Sequence, residues 1–122
     1  MSAFHRFYKS FYFASKGIYI AFKGALNIKI HLMAAIITLL FAFLFQLDMM
    51  EWIAVLICIG MVFSAEIFNT AIEKLVDHVS PAWHARAGSI KDMAAGAVLI
   101  VSFIAMIVGL LIFIPKILQR LP

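Results

Sequence analysis

Three carboxylates and one amide share a face of a predicted helix in a very apolar sequence. At 100° per residue, Glu66, Glu73 and Asp77 fall within roughly 40° of one another, and Asn69 lies about 60° to one side. The segment continues the apolar run that begins at Trp52, so this face belongs to the end of a predicted membrane span. An acidic side chain near the bilayer centre costs about 2.5–3.5 kcal/mol on insertion scales. Such a cost favours a functional site.

Carboxylates in this arrangement suit the chemistry of a cation and a phosphate. Mg²⁺ prefers oxygen ligands, keeps several waters and bridges to substrate phosphates. One carboxylate can also accept a proton from an attacking hydroxyl group. The alternative is a solvated helix end beyond the membrane, and for Asp77 taken alone this alternative is equally good.

Lys91 and Asp92 are predicted to open the next helix, level with the acidic face. A cation neutralises phosphate charge, and backbone N–H groups at a helix start bind anions, although an ordinary charged helix start has the same appearance. We interpret His31 and His84 as structural or interfacial in preference to phosphate or ribose contacts. Cys58 and the four histidines lack zinc spacing, and no glycine-rich phosphate loop is present.

Composition predicts an all-α integral membrane protein. The 122 residues are 66% hydrophobic, with a mean hydropathy of +1.08, which is too apolar for a soluble domain of this size. We expect a single domain, residues 1–122, with an amphipathic surface helix and three spans. The surface helix is predicted at 2–28 and the spans at 30–47, 52–78 and 90–114.

The predicted boundaries depend on local signals. In the surface helix, aromatic residues recur at threes and fours and lysines at sevens, which is typical of a helix lying in the membrane interface. The stretch 48–51 is predicted to form a tight turn between the first two spans. Ser80-Pro81 is expected to end the second span, residues 82–89 to form a loop, and Pro115 to close the third span.

Positive charge predicts the orientation in the membrane. The net charge is +4, and five basic residues precede the first span: Arg6, Lys9, Lys16, Lys23 and Lys29. The positive-inside rule therefore places the N-terminus and the second connection in the cytoplasm. Nucleic acid is not expected as a partner, because the sequence has no dense basic run and no recognisable binding module.

The acidic segment also resembles a known signature. Glu66-Ile67-Phe68-Asn69-Thr70-Ala71-Ile72-Glu73-Lys74-Leu75-Val76-Asp77 is similar to the motif of the small prokaryotic diacylglycerol kinase family, which includes the undecaprenol kinases. Phe68 departs from it slightly, because an aliphatic residue is usual there. The stretches Lys91–Ala95 and Gly109–Lys116 resemble the family as well, so the similarity extends over nearly the whole chain.

The resemblance implies transfer of the γ-phosphoryl group of ATP to the hydroxyl of a membrane lipid, with Mg²⁺. It further implies a homotrimer in the bacterial cytoplasmic membrane, with active sites shared between protomers at the cytoplasmic interface. By the same resemblance, Glu66 would be the general base and Glu73 a metal ligand. The residues implied at the nucleotide are Arg6, Asn69, Glu73, Asp77, Lys91 and Asp92.

Two positions depart from the family pattern. Ala25 stands where the family has a second metal-binding Glu, and Phe13 stands where some members have Tyr. Loss of one metal carboxylate would impair positioning and charge neutralisation of the transferred phosphoryl. Three explanations are open: another metal ligand, lost activity, or a deliberate Glu→Ala substitution. The otherwise intact motif favours the third.

Several functions are therefore compared. Among lipid kinases, the segment from Asn27 to His31, the Ser80-Pro81 turn and the C-terminal stretch resemble the undecaprenol kinases more than the diacylglycerol kinases. A catalytically silent relative that binds nucleotide or lipid is the second hypothesis, and Ala25 is its best support. A small ion or proton pathway along the acidic face is the third.

Overall fold

Four α-helices joined by short connections form the chain in a computed structural model, which describes residues 2–122. They are α1 (Ala3–Gly24), α2 (Leu26–Leu44), α3 (Met49–Val79) and α4 (Ala85–Arg120). The last three are each long and apolar enough to cross a membrane. The predicted all-α architecture, with three helices long and apolar enough to span a membrane, is thereby confirmed. We call the two ends of the bundle the α3–α4 end and the α2–α3 end, after the connection that each contains.

The N-terminal helix ends earlier than predicted. Its first turn is capped by Ser2, whose Oγ accepts a hydrogen bond from the His5 backbone N–H at 3.2 Å. Ala25 is extended, with φ −100° and ψ 125°, and separates α1 from α2. The predicted surface helix at 2–28 is therefore too long, and the first span starts at Leu26 rather than at residue 30. Gly24, a poor helix former, marks the break.

The turn between α2 and α3 lies earlier than residues 48–51. The N–H groups of Gln46 and Leu47 bond back to the carbonyls of Phe43 and Ala42, and Gln46 has φ 53°, which together form a Schellman helix end. Asp48 then caps α3 in a reciprocal capping box with Glu51. The predicted turn residues after Asp48 are thus already helical.

The connection between α3 and α4 is shorter than predicted. α3 ends at Val79, directly before Ser80-Pro81, but α4 already begins at Ala85. His84 caps it, because its Nδ1 accepts a hydrogen bond from the Arg86 backbone N–H at 3.1 Å. Gly88, which falls within the predicted loop, lies inside the helix and costs it only about 1 kcal/mol relative to alanine.

The third span does not close at Pro115. α4 continues through this proline to Arg120, although a proline removes one backbone hydrogen bond from the helix. Side-chain contacts hold the final turns at the α2–α3 end: Lys116 Nζ lies 3.0 Å from Glu51 Oε1, and Arg120 donates to the Leu44 carbonyl at 3.2 Å. The Arg120 guanidinium also lies 4.8 Å from the centre of the Phe45 ring.

The longest packing interface joins α3 to α4, and α3 also contacts α1 and α2. The Phe22 ring of α1 stacks against Phe63 of α3, with ring centres 5.4 Å apart. A small buried cluster of Ala42, Leu47 and Val55 closes the α2–α3 end. α3 is therefore the helix against which the others are placed, and it carries the acidic face.

Candidate functional site

Glu66 is buried in the middle of the helical bundle. Only 2% of the residue is exposed, and it is the one buried charged residue among residues 2–122. Its Oε1 lies 3.2 Å from Nε2 of His31 on α2. This contact links α2 and α3, two of the helices long and apolar enough to cross a membrane, through an ionisable pair. A buried carboxylate requires such a partner, because an isolated charge in an apolar interior is strongly unfavourable.

His31 contacts the predicted base, and the sequence did not predict this contact. Its side chain is 26% exposed, and it faces Glu66, whereas the sequence favoured a structural or interfacial role. The available signal was an ionisable residue within an apolar span, which marks a candidate functional position. Its partner was not predictable, because the sequence does not fix the relative register of α2 and α3.

Glu73 and Asn69 lie one turn apart on α3 and contact each other. The Asn69 Nδ2 group donates to Glu73 Oε1 at 3.2 Å, which leaves the amide oxygen for another partner. That oxygen, Oδ1, is buried and accepts no hydrogen bond from the described residues. The pair thus offers one carboxylate and one amide oxygen on adjacent turns of the helix.

These oxygens fit the chemistry of Mg²⁺, which is often held by one or two carboxylates together with waters and phosphates. Within residues 2–122, no group of three His, Cys, Asp or Glu side chains is arranged to hold a metal. The structure places Ala25 half-buried at the α1–α2 junction, where it contributes no carboxylate. An ion bound by Glu73 and Asn69 would therefore need most of its other ligands from substrate phosphates and water.

Lys91 forms an ion pair with Asp77 and so connects α4 to α3 at the α3–α4 end. The Asp77 side chain is 63% exposed and that of Lys91 is 37% exposed, so a ligand arriving from water can reach both. The prediction that Lys91 and Asp92 open the helix is wrong, because α4 begins at Ala85. Their backbone N–H groups lie inside the helix, so only the Lys91 ammonium group is available to an anion.

The remaining predicted residues are less closely associated. Asp92 lies on α4 beside Lys91 and is exposed. Arg6 is exposed near the start of α1, and no side-chain hydrogen bond or ion pair joins it to another residue in the described part of the chain. The structure thus brings together His31 with Glu66, Asn69 with Glu73, and Asp77 with Lys91.

An apolar groove of about 480 Å³ runs between α2 and α4 alongside α3. We call it the α2–α4 groove. His31 lines it near the α3–α4 end and Ile117 near the opposite end, and most of the other lining residues are apolar. The groove therefore leads along the spans to the partner of Glu66.

Comparison with known proteins identifies the family. The family described as Prokaryotic diacylglycerol kinase matches residues 12–113. An undecaprenol kinase of Bacillus subtilis is 43% identical over 92% of this chain and 91% of its own length. A diacylglycerol kinase of Synechocystis is 34% identical over 90% of this chain and 63% of its own length. The Escherichia coli diacylglycerol kinase is 27% identical over 87% of each chain.

The matched region includes α2, α3 and most of α4, together with every helix pair that forms the site. The acidic face of α3, the Lys91–Asp77 pair and Ala25 all lie inside it. The protein therefore belongs to the prokaryotic diacylglycerol kinase family and is a lipid kinase.

Proposed function

We propose that this protein phosphorylates the hydroxyl group of undecaprenol, using ATP as the phosphoryl donor and Mg²⁺ as the metal. The observation that carries the proposal is the buried Glu66 carboxylate, which contacts His31 beside the α2–α4 groove. A carboxylate in that position suits an acceptor that arrives from the lipid. A hydroxyl acceptor in turn requires a base.

In the proposed reaction, the lipid hydroxyl oxygen attacks the γ-phosphorus of ATP, and the bond from that phosphorus to the bridging oxygen of the β-phosphate breaks. The hydroxyl proton passes to Glu66. The products are the lipid phosphate and ADP, with the bridging oxygen retained by ADP. Phosphoryl transfer depends chiefly on positioning and charge stabilisation, which the residues around Glu66 would provide.

The polar groups nearer the α3–α4 end would bind the nucleotide. Lys91 would contact a phosphate through its ammonium group, exchanging part of its contact with Asp77. Asp92 and Arg6, both exposed, would contact the nucleotide further out. Glu73 and Asn69 would hold Mg²⁺, which when bound neutralises the charge on the phosphates.

The charge distribution supports an active site on the cytoplasmic side. The basic residues of α1 and of the start of α2 lie near the α3–α4 end. Basic residues that flank a membrane span favour the cytoplasmic side. We propose that α1 lies in the membrane interface there. ATP would arrive from water and the acceptor from the bilayer, so their boundary is the suitable place for transfer. A homotrimer with shared sites, in a bacterial cytoplasmic membrane, is part of the same proposal.

Undecaprenol is favoured as the acceptor by the relatives. The undecaprenol kinase of Bacillus subtilis matches nearly the full length of both chains at 43% identity, whereas the diacylglycerol kinases match at 34% and 27%. Diacylglycerol is the second candidate acceptor. Either lipid would present a primary hydroxyl to Glu66 and its tail to the α2–α4 groove.

One observation favours a second function. Ala25 leaves the proposed metal site with a single carboxylate, which is expected in a relative that binds nucleotide or lipid but transfers phosphate slowly. We therefore propose the silent relative as the alternative. The two functions differ in whether the chain, with Ala25 or with a carboxylate restored at that position, phosphorylates a lipid.

The test is ATP-dependent lipid phosphorylation in mixed micelles with Mg²⁺. The chain with Ala25 is compared with its Ala25→Glu variant, and undecaprenol and diacylglycerol are offered separately. We expect the variant to be at least about tenfold faster, because a second carboxylate strengthens metal binding. The preferred lipid identifies the acceptor. If neither chain phosphorylates either lipid, the kinase proposal fails and the silent relative replaces it.

A further inference from the structure

We infer that His31 is a positioning residue for the base: its Nε2–H donates to Glu66 and fixes the carboxylate so that the second oxygen faces the acceptor hydroxyl. This inference rests on the proposed function. It adds a residue on α2 to a reaction whose other predicted groups lie on α1, α3 and α4.

The contact geometry supports donation from the histidine. Nε2 of His31 and Oε1 of Glu66 are 3.2 Å apart, a distance at which the proton must lie between them. Both the neutral Nε2–H tautomer and the imidazolium carry a proton on Nε2, and an ionised carboxylate only accepts. The contact uses Oε1 of Glu66, so the proposed partner of the acceptor hydroxyl is Oε2.

Burial makes this single contact important. The Glu66 side chain is 3% exposed, so water does not orient it. Asn69, one turn further along α3, uses its amide group on Glu73. Among residues 2–122, His31 is thus the side chain that holds the carboxylate, and without it the carboxylate has no fixed direction. Charge-assisted hydrogen bonds of this kind are about twice as strong as neutral ones.

His31 also lines the α2–α4 groove, which places the contact beside the proposed path of the acceptor. A small misplacement of a reacting group has a large effect on rate, because reacting atoms must be held at about 3–3.5 Å with their orbitals aligned. His31 is therefore expected to affect the rate of the chemical step and not the binding of the nucleotide.

The experiment uses two substitutions that place the same amide group at different distances from the backbone of residue 31. His31→Gln places a donor near the position of Nε2, whereas the shorter His31→Asn places it near Nδ1. We expect His31→Asn to lower kcat about 10- to 100-fold with an unchanged KM for ATP, and His31→Gln to restore most of the rate. The matched control is Ser10→Ala, which removes a hydroxyl group on α1, outside the lining of the α2–α4 groove, whose Oγ donates to the Arg6 backbone carbonyl at 3.0 Å.

A double substitution separates positioning from structural support. If His31 acts through Glu66, adding His31→Asn to Glu66→Gln lowers the residual rate no further, because the two residues act as a unit. The full-length chain is assayed in the same micelles, in the Ala25→Glu background if that is the faster chain. Binding of a nonhydrolysable ATP analogue shows that each variant is folded.

The outcomes are distinct. Equal rates for His31→Asn, His31→Gln and the natural residue would overturn the inference while leaving the kinase proposal intact. A loss confined to the KM for ATP, or an equal further loss in the Glu66→Gln background, would overturn it as well. If no chain phosphorylates a lipid, the proposed function fails, and the role of His31 fails with it.

Discussion

The two ends of α3 use charged residues in different ways. At the α2–α3 end, Glu51 bonds to both Lys116 and the Asp48 backbone N–H, and Arg120 binds the Leu44 carbonyl. In the half of α3 nearer the α3–α4 end, Glu66 contacts His31, and the Asn69 amide oxygen has no partner among the described residues. The first end is closed by its own contacts, whereas the second leaves polar atoms available.

This difference separates structural from functional charge. Closed pairs and caps satisfy one another and need no ligand, so their removal should change stability and leave catalysis unchanged. Polar atoms that are buried and unsatisfied are unfavourable unless a ligand or ion completes them. Substitution of an acidic side chain of α3 is thus expected to change stability at the α2–α3 end and catalysis at the α3–α4 end.

The largest expected effect is at Glu66. Glu66→Gln should lower kcat on the order of 10²- to 10⁴-fold, because an amide cannot accept the hydroxyl proton. Binding of a nonhydrolysable ATP analogue should change little, since Glu66 is buried away from the exposed Lys91–Asp77 pair. Steady-state kinetics and equilibrium binding measure the two quantities. A near-normal rate would remove Glu66 from the role of base.

Substitution of Lys91 tests the proposed nucleotide-binding residues at the α3–α4 end. Lys91→Ala should weaken ATP binding roughly 10- to 100-fold, because hydrogen bonds to charged groups contribute about 1.5–3 kcal/mol. The control is Lys91→Arg, which retains the positive charge and should retain most of the affinity. Unchanged affinity in Lys91→Ala would mean that the lysine serves only its contact with Asp77, and the two halves would then be alike.

Much of the fold follows from sequence because hydropathy and helix periodicity are local. Three apolar spans and the acidic face of α3 were predictable in this way. Helix ends are less predictable: the Asp48–Glu51 capping box is a local signal in the sequence, whereas the continuation of α4 through Pro115 depends on distant contacts with α2 and α3.

The site was predictable only along single helices. The spacing of Glu66, Asn69 and Glu73 places them on one side of α3 without knowledge of any other helix. The contact of His31 with Glu66 depends on how α2 is rotated and shifted against α3. That packing is determined by many apolar contacts together, and a single sequence does not reveal it.

At the closed end, Lys116→Met should alter stability without altering catalysis. The ion pair with Glu51 is mostly buried, with side chains 23% and 22% exposed, and its loss should cost about 1 kcal/mol. The capping box remains, because Met does not disturb the Asp48–Glu51 contacts. Thermal unfolding in detergent should show a lower midpoint, alongside unchanged kcat. The matched control is Lys9→Met on exposed α1. A loss of kcat would contradict a purely structural role.

The smallest expected effect is at Asp48, and it depends on pH. The Glu51 backbone N–H, which donates to Asp48 Oδ1 at 2.9 Å, holds the pKa of that carboxyl below its ordinary value. A carboxyl with a lowered pKa in the folded state stabilises the fold fully above its unfolded pKa of about 3.9. That contribution is lost as pH falls through the folded-state pKa.

Asp48→Ala should therefore unfold at a slightly lower temperature than the unsubstituted chain at pH 7, and the difference should shrink as the pH is lowered below about 4. Asp48→Asn is the control, because asparagine also caps helices well but carries no charge. It should restore most of the midpoint at pH 7 without the acid dependence. Both variants should keep kcat, since Asp48 lies at the end of α3 opposite to Lys91. A pH-independent difference for Asp48→Ala would mean that the cap acts through shape alone, and a loss of kcat would show that the two ends of α3 are coupled.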